Sequence, residues 1–228
     1  MKAWHVNDVM TADVVFAAPG ALYRDLVGLL AGRRVNAVPI VDEDRRVLGV
    51  VSESDLLLKI EYAGAARPRW FQRRRRDQRR KADALTAAEL MTVPAVTVLG
   101  STGTRAAARL MDDARVKQLP VVDDLGRLTG IVSRSDLLKE HLRTDFEILA
   151  DVRAAIDEVL FTENVAEVDA EVRRGVVTLT GRTERWSSAV LTARLVRLVP
   201  GVVETVDRIT FDFDDRKLAD PVPAFFVA

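Results

Sequence analysis

The pattern of apolar and polar positions divides the chain into three stretches, and the first two share one plan. In the first stretch a short apolar run at 14–17 is broken by Pro19-Gly20. Leu22, Leu26, Leu29 and Leu30 then fall at helical spacing, which predicts an amphipathic helix over 21–31 with Gly32 as its stop. The run 37–41 reads as a buried strand, 42–46 as a polar turn, 47–51 as the partner strand and 54–63 as a second helix. The second stretch repeats this β-α-β-β-α order: a strand over 95–98, a turn at 100–103, a helix over 104–113, a hairpin of 119–122 and 128–132, and a closing helix over 135–142. The third stretch differs. Val152, Ile156, Val159 and Leu160 mark a helix over 145–161. Two strands, 165–172 and 176–180, flank Arg173-Arg174-Gly175, a sequence suited to a hairpin turn, and Gly181 closes the pair. A helix over 186–199 ends at Pro200-Gly201, and 202–213 is a final strand. The third order is therefore α-β-β-α-β, and the chain as a whole is read as α/β (α+β).

The shared plan is a duplication. At an offset of 81 residues, GVVSESDLL (Gly49 to Leu57) superposes on GIVSRSDLL (Gly130 to Leu138), and Met10-Thr11 on Met91-Thr92. Over 7–57 against 88–138, 18 of 51 positions are identical without a gap, where average residue usage gives roughly three by chance. A repeat of this size is marginal as an independent domain, so the apolar faces of two copies are expected to bury each other in one pseudo-symmetric unit.

Composition adds three constraints. The chain has no cysteine, which removes disulfides and thiolate metal sites and is compatible with a reducing compartment. Residues 1–10 lack the continuous apolar core of a signal peptide, and no apolar run is long enough to span a bilayer; a cytoplasmic protein is expected. The net charge of zero conceals an uneven distribution. Residues 67–81 (RPRWFQRRRRDQRRK) hold nine basic residues and one acid, leaving 25 basic against 33 acidic residues elsewhere.

The repeated Ser-x-x-Asp has two readings. A serine followed three residues later by an acid, just before an apolar helix, is a capping box. The same groups can also serve a ligand, because a carboxylate accepts two hydrogen bonds and a helix start presents amides to an anion. The two readings are compatible.

Repeats carrying Met-Thr near the start, VPIVD or LPVVD in the middle and G-h-h-S-x-x-D at the end (h, hydrophobic) resemble CBS domains, the cystathionine-β-synthase type of regulatory module. The resemblance covers both repeats, about residues 1–143. Residues 145–215 resemble a BON domain through their element order, the strand GVVTLTG at 175–181 and the turn PGVVETV at 200–206. The implied layout is 1–63 and 85–143 as CBS repeats, 64–84 as a basic linker, 145–215 as the BON domain and 216–228 as a tail.

The CBS resemblance implies a pair packed through its sheets with two clefts for adenosine-containing ligands (AMP, ADP, ATP or S-adenosylmethionine), and dimerisation through the pair. Carried onto this chain, the ligand residues are Asp55 and Asp136 toward ribose, Ser52 and Ser133 toward phosphate, and Thr11 and Thr92. Val38-Pro39 and Leu119-Pro120 line the base. The copies differ where Arg134 replaces Glu53 and Lys117 replaces Asn36. Both changes add positive charge, so the second repeat is expected to be the tighter anion site. The BON resemblance implies a module that meets a lipid, surface or protein partner.

The basic stretch interleaves Trp70 and Phe71 with Arg73, Arg74, Arg75, Arg76, Arg79 and Arg80. These arginines are candidates for anion contact: nucleic-acid backbone, anionic membrane, an acidic partner, or phosphates held in the clefts. The bland alternative is a solvated linker helix whose aromatics dock on the pair. No nucleic-acid fold surrounds the stretch, so nucleic acid and membrane are not favoured. His5 and His141 have no neighbours in sequence that suggest a metal site, and none is expected. Gly100 to Thr104 lacks the Lys-Ser/Thr of a P-loop and reads as a turn into a helix. No nucleophile–base set or isolated carboxylate pair is visible. The chain is thus read as non-enzymatic and needing no cofactor: a homodimeric regulator that senses an adenine nucleotide or S-adenosylmethionine and signals through its last domain. The competing reading is a ligand-free scaffold whose basic stretch or last domain meets nucleic acid or an anionic membrane.

Overall fold

The computed structural model describes residues 4–63, 73–163 and 167–218. The chain divides into two compact units, one of His5–Leu137 and one holding Leu138 onward together with Trp4. The expected tail segment 219–228, and Trp70 and Phe71, lie outside the described residues.

The first unit contains both repeats. In the first repeat, α1 (Val6–Val9) precedes α2 (Tyr23–Arg33), the hairpin β1 (Ala37–Val41) and β2 (Val47–Ser52), and α3 (Glu53–Glu61). α4 (Arg73–Asp83) follows between the repeats. The second repeat has α5 (Ala87–Leu90), β3 (Val98–Leu99), α6 (Thr104–Asp113), the hairpin β4 (Gln118–Val122) and β5 (Leu128–Ser133), and α7 (Arg134–Leu137). Apolar positions of α2, β1, β2 and α3, among them Leu26, Val38, Ile40 and Val51, form one core that is completed by Ala87 and Leu90 of α5, the opening segment of the second repeat.

The duplication is repeated in detail. Arg34 and Arg115, 81 residues apart, both sit at φ 54° after α2 and α6. Both hairpins carry an irregularity at the same place, Ile40/Val41 and Val121/Val122. β3 pairs parallel with β4 through Val98 and Val121, and its counterpart is the single parallel bridge of Ala17 with Ile40. The apolar run at 14–17 and most of the expected strand 95–98 are therefore extended chain with little pairing. The bridge between Arg46 and Arg127, equivalent residues, lies on the pseudo-two-fold axis.

Each repeat also lends its opening segment to the other. Thr11 exchanges backbone hydrogen bonds with Ile131 (2.9 Å each way), and Thr92 with Val50 (2.9 and 3.3 Å). Glycine is needed beside these crossings. A Cβ on Gly49 would stand 2.7 Å from Met91 Sδ, and one on Gly130 would stand 2.4 Å from Met10 Sδ and 3.2 Å from the Thr11 carbonyl.

Element limits differ from the sequence reading where capping outranks hydrophobic spacing. α2 runs through Gly32 and is stopped by Arg34 in the left-handed region. α3 begins at Glu53 because Ser52 caps it. The expected helix over 135–142 is α7 followed by a 3-10 turn, Leu138–Leu142.

In the second unit α8 (Asp145–Glu163), β6 (Val168–Arg173), β7 (Val176–Arg185), α9 (Trp186–Val196) and β8 (Glu204–Phe213) follow in order. The sheet order is β6-β7-β8, with β6 antiparallel and β8 parallel to β7. Ile148, Val152 and Ile156 of α8, Ala193 and Val196 of α9, and Ala170, Val177 and Leu179 of the sheet share one core. The hairpin turn has positive φ at Arg174 (54°) and Gly175 (75°), the geometry of a two-residue primed turn. Asp145 fastens it: its Oδ2 accepts from the Arg174 amide (2.7 Å) and its Oδ1 from the Gly175 amide (2.9 Å). Gly181 does not end β7. The strand continues through it at φ 125°, where a Cβ would stand 2.1 Å from the Glu167 carbonyl oxygen.

Candidate functional site

Both copies of Ser-x-x-Asp form the capping box, and their geometries are nearly identical. Asp55 Oδ2 accepts from the Ser52 amide (2.9 Å) and hydroxyl (2.7 Å). Asp136 Oδ2 accepts from the Ser133 amide (2.9 Å) and hydroxyl (2.6 Å), while the Asp136 amide donates back to Ser133 Oγ at 3.2 Å. The next amide in each copy is also engaged: Glu53 donates to the Asn36 carbonyl (3.0 Å) and Arg134 to the Lys117 carbonyl (3.1 Å). Much of the first-turn donor set that an anion could use is thus spent on the fold. Cations on the cleft walls are left as the main charge available to a phosphate.

Two clefts flank these caps. The first, about 330 Å³, is lined by Ser52, Glu53, Asp55, Thr92, Arg115 and Lys117, with Val50, Pro94, Ala95, Val96 and Val116 as its apolar wall. The second, about 460 Å³, is lined by Thr11, Asp13, Arg34, Lys117, Ser133, Arg134 and Asp136, with Val14, Val15, Val35 and Ile131 as its apolar wall. The crossing of the opening segments explains the pairing: Thr92 joins the motif of the first repeat and Thr11 that of the second. Asn36, Ala37, Lys117 and Gln118 line both clefts, so Lys117 does not distinguish them as the sequence comparison suggested. Gln118 Oε1 is buried without a hydrogen-bond partner. A buried acceptor left unsatisfied is costly, and this one stands in the shared wall.

The expected base-lining residues take a different position. Val38 and Leu119 are fully buried core side chains, and Pro39 and Pro120 are buried beside them in β1 and β4. None is among the residues lining either cleft. Alternation along a strand sends Val38 and Leu119 to the core, and the cleft walls come instead from segments 14–15, 94–96 and Val35, Val116 and Ile131. Sequence reasoning also missed Arg34, Arg115 and Gln118. The two arginines were detectable only as equivalent positions after a helix.

Arg134 lines the second cleft, yet its guanidinium donates to the Val116 carbonyl (Nε, 3.2 Å) and the Met111 carbonyl (Nη2, 3.5 Å). It neutralises carbonyls at the end of α6 and stands at the cleft rim. The basic stretch takes helical form from Arg73 to Asp83. The side chains of Arg73, Arg74 and Arg76 lie outside the described residues. Arg75 and Arg80 are exposed, and Arg79 pairs with Asp83 at 3.2 Å. A neighbour of theirs, Lys81, reaches two residues that line the first cleft: its ammonium stands 2.5 Å from Asp55 Oδ1 and 2.7 Å from Thr92 Oγ1. Among the described residues no cluster of three or more His, Asp or Glu is placed to hold a metal, and no helix is long and apolar enough to cross a membrane.

A family model for the CBS domain matches residues 6–62 and 87–143, half of the chain. The chain belongs to the CBS-domain family. A BON domain model matches residues 144–212, the α-β-β-α-β stretch. Among solved structures, CBSX2 of Arabidopsis thaliana in complex with AMP is 30% identical and superposes with a TM-score of 0.55, covering 61% of this chain and 97% of that one. Among curated proteins, the uncharacterized protein MK0525 of Methanopyrus kandleri is 27% identical over 139 residues, 61% of this chain and 63% of its own length. The chloroplastic CBSX1 of Arabidopsis thaliana is 26% identical over 151 residues, 60% of this chain and 64% of its length. The chain thus spans under two thirds of these curated relatives. Inosine-5'-monophosphate dehydrogenase of Mycobacterium tuberculosis matches over 21% of its length, which carries no activity to this chain.

Proposed function

We propose that the CBS pair is a sensor of adenine nucleotides and that its second cleft is the binding site. The observation that carries this reading is the makeup of that cleft. Thr11 and Asp136 meet there beside Arg34 and Arg134, with Lys117 shared between the two clefts. Asp136 suits ribose hydroxyls and the cations suit phosphate. The solved AMP complex of a 30% identical CBS pair supports the same ligand class. Three cations against Asp13 and Asp136 favour AMP, ADP or ATP over the cationic sulfonium of S-adenosylmethionine.

The pair acts by population shift: a ligand held between segments of both repeats favours one packing of the pair. This changes the geometry of a homodimer formed through the pair, or the presentation of the BON domain to its protein or surface partner. The site performs no chemistry and the protein works in the cytoplasm. A thermal-shift panel of AMP, ADP, ATP and S-adenosylmethionine at millimolar concentration tests the reading, since a ligand of the native state raises the melting temperature. A rise with adenine nucleotides is expected. A flat panel overturns the sensor reading in favour of a ligand-free scaffold.

A further inference from the structure

Two polar side chains that line the first cleft, Asp55 and Thr92, are already engaged by the chain itself. α4 lies against α3 through three hydrogen bonds: the Lys59 ammonium to the Ala82 carbonyl (2.8 Å), the Tyr62 hydroxyl to Gln78 Oε1 (2.9 Å), and the Arg79 guanidinium to the Tyr62 carbonyl (2.9 Å). These contacts hold the second half of α4 beside the helix that Ser52 and Asp55 begin, and they deliver Lys81 to the motif. Its ammonium bridges Asp55 Oδ1 and Thr92 Oγ1. The Asp55 side chain is 13% exposed and that of Lys81 22%, so water screens this pair far less than an open surface pair. Asp55 Oδ2 is taken by the Ser52 amide and hydroxyl. Both oxygens of the carboxylate and the Thr92 hydroxyl are therefore engaged within the chain.

We infer that Lys81 is an internal ligand of the first cleft and determines its specificity, an inference that rests on the nucleotide reading of the pair. While Lys81 bridges Asp55 and Thr92, the first cleft does not take a ribose, and the chain binds one nucleotide, in the second cleft. A diol approaching Asp55 exchanges an ion pair for neutral hydrogen bonds and strands the ammonium in a shielded place, an unfavourable trade. Opening the first cleft requires Lys81 to withdraw. Because Lys81 ends the basic stretch, occupancy of that cleft is coupled to the docking of α4. The extra positive charge of the sequence thus competes here for the motif carboxylate of a duplicated site, and it makes two clefts with the same motif unequal.

Calorimetric titration of AMP into the full chain tests this, with Lys81→Met, which keeps the length of the stem, and the double variant Lys81→Met/Asp136→Ala. Expected are one AMP per chain in the wild type, two in Lys81→Met, and one in the double variant. Two sites in the wild type, or one site still in Lys81→Met, overturns the inference. Amide hydrogen exchange over Arg73–Asp83 provides a readout that does not depend on nucleotide. Lys81→Met and Asp55→Asn are each expected to speed exchange there at least tenfold. If no variant binds AMP, the nucleotide reading fails and takes the specificity claim with it. Faster exchange then upholds the Lys81 latch alone, and unchanged exchange overturns the latch as well.

Discussion

The two clefts begin from the same Ser-x-Ser-Asp motif and diverge at their borders. Ser52-Asp55 and Ser133-Asp136 agree to within 0.1 Å in both the amide (2.9 and 2.9 Å) and hydroxyl (2.7 and 2.6 Å) contacts. Around them, Asp55 of the first cleft is engaged by Lys81 from an element that lies between the repeats, whereas Arg134, in place of Glu53, lines the second. A capping box has one geometric solution, so duplication preserves it. What a ligand meets is decided by neighbouring segments that the box does not constrain. The symmetric part of the motif serves folding, and the asymmetric surroundings set the function.

Five substitutions test how far the two repeats match and what their caps contribute. The largest effect is expected at the glycines under the crossing segments. Gly49→Val and Gly130→Val each force a methionine side chain aside, at about 1–3 kcal/mol, read from urea unfolding. Near-equal costs support the structural symmetry; a difference well beyond 1 kcal/mol breaks it. The next concerns the caps. Ser52→Ala and Ser133→Ala are expected to cost about 1 kcal/mol each, again nearly equal, because the boxes match.

The smallest effect lies in the short helix α5. The amides of Leu85 and Thr86 donate to the Glu89 carboxylate and hold its pKa below the usual glutamate range. A folded pKa below the unfolded one contributes stability that is full above the unfolded value and is lost as pH falls through the folded value. The melting temperature should fall between about pH 5 and 3, and Glu89→Gln should flatten that fall slightly. An unchanged slope in the variant contradicts this role.

Much of the frame was legible in the chain. The 81-residue offset foretold matched hairpins and matched caps, because periodicity and capping are local properties that sequence spacing records. The resemblance to CBS and BON domains held for the same reason. The cleft walls were less legible. Val38-Pro39 and Leu119-Pro120 look like a slot in a linear motif, but strand alternation turns Val38 and Leu119 into the core. Arg34 and Arg115 come to the clefts only after a left-handed helix end redirects the chain. The part of Lys81 was beyond reach from sequence: 26 residues separate it from Asp55, and only the docking of α4 on α3 brings them together. Composition marked the basic stretch as unusual without indicating that its last residue faces inward.

In the proposed arrangement the second cleft takes the nucleotide, while Lys81 occupies the motif carboxylate of the first. The most direct measurement is a titration of AMP and ATP into the wild type, Asp136→Ala and Asp55→Ala, with each variant checked by its melting curve. Asp136→Ala is expected to weaken binding at least tenfold, about 1.4 kcal/mol, with Asp55→Ala close to wild type. Equal loss in both variants, or loss only in Asp55→Ala, would contradict the account.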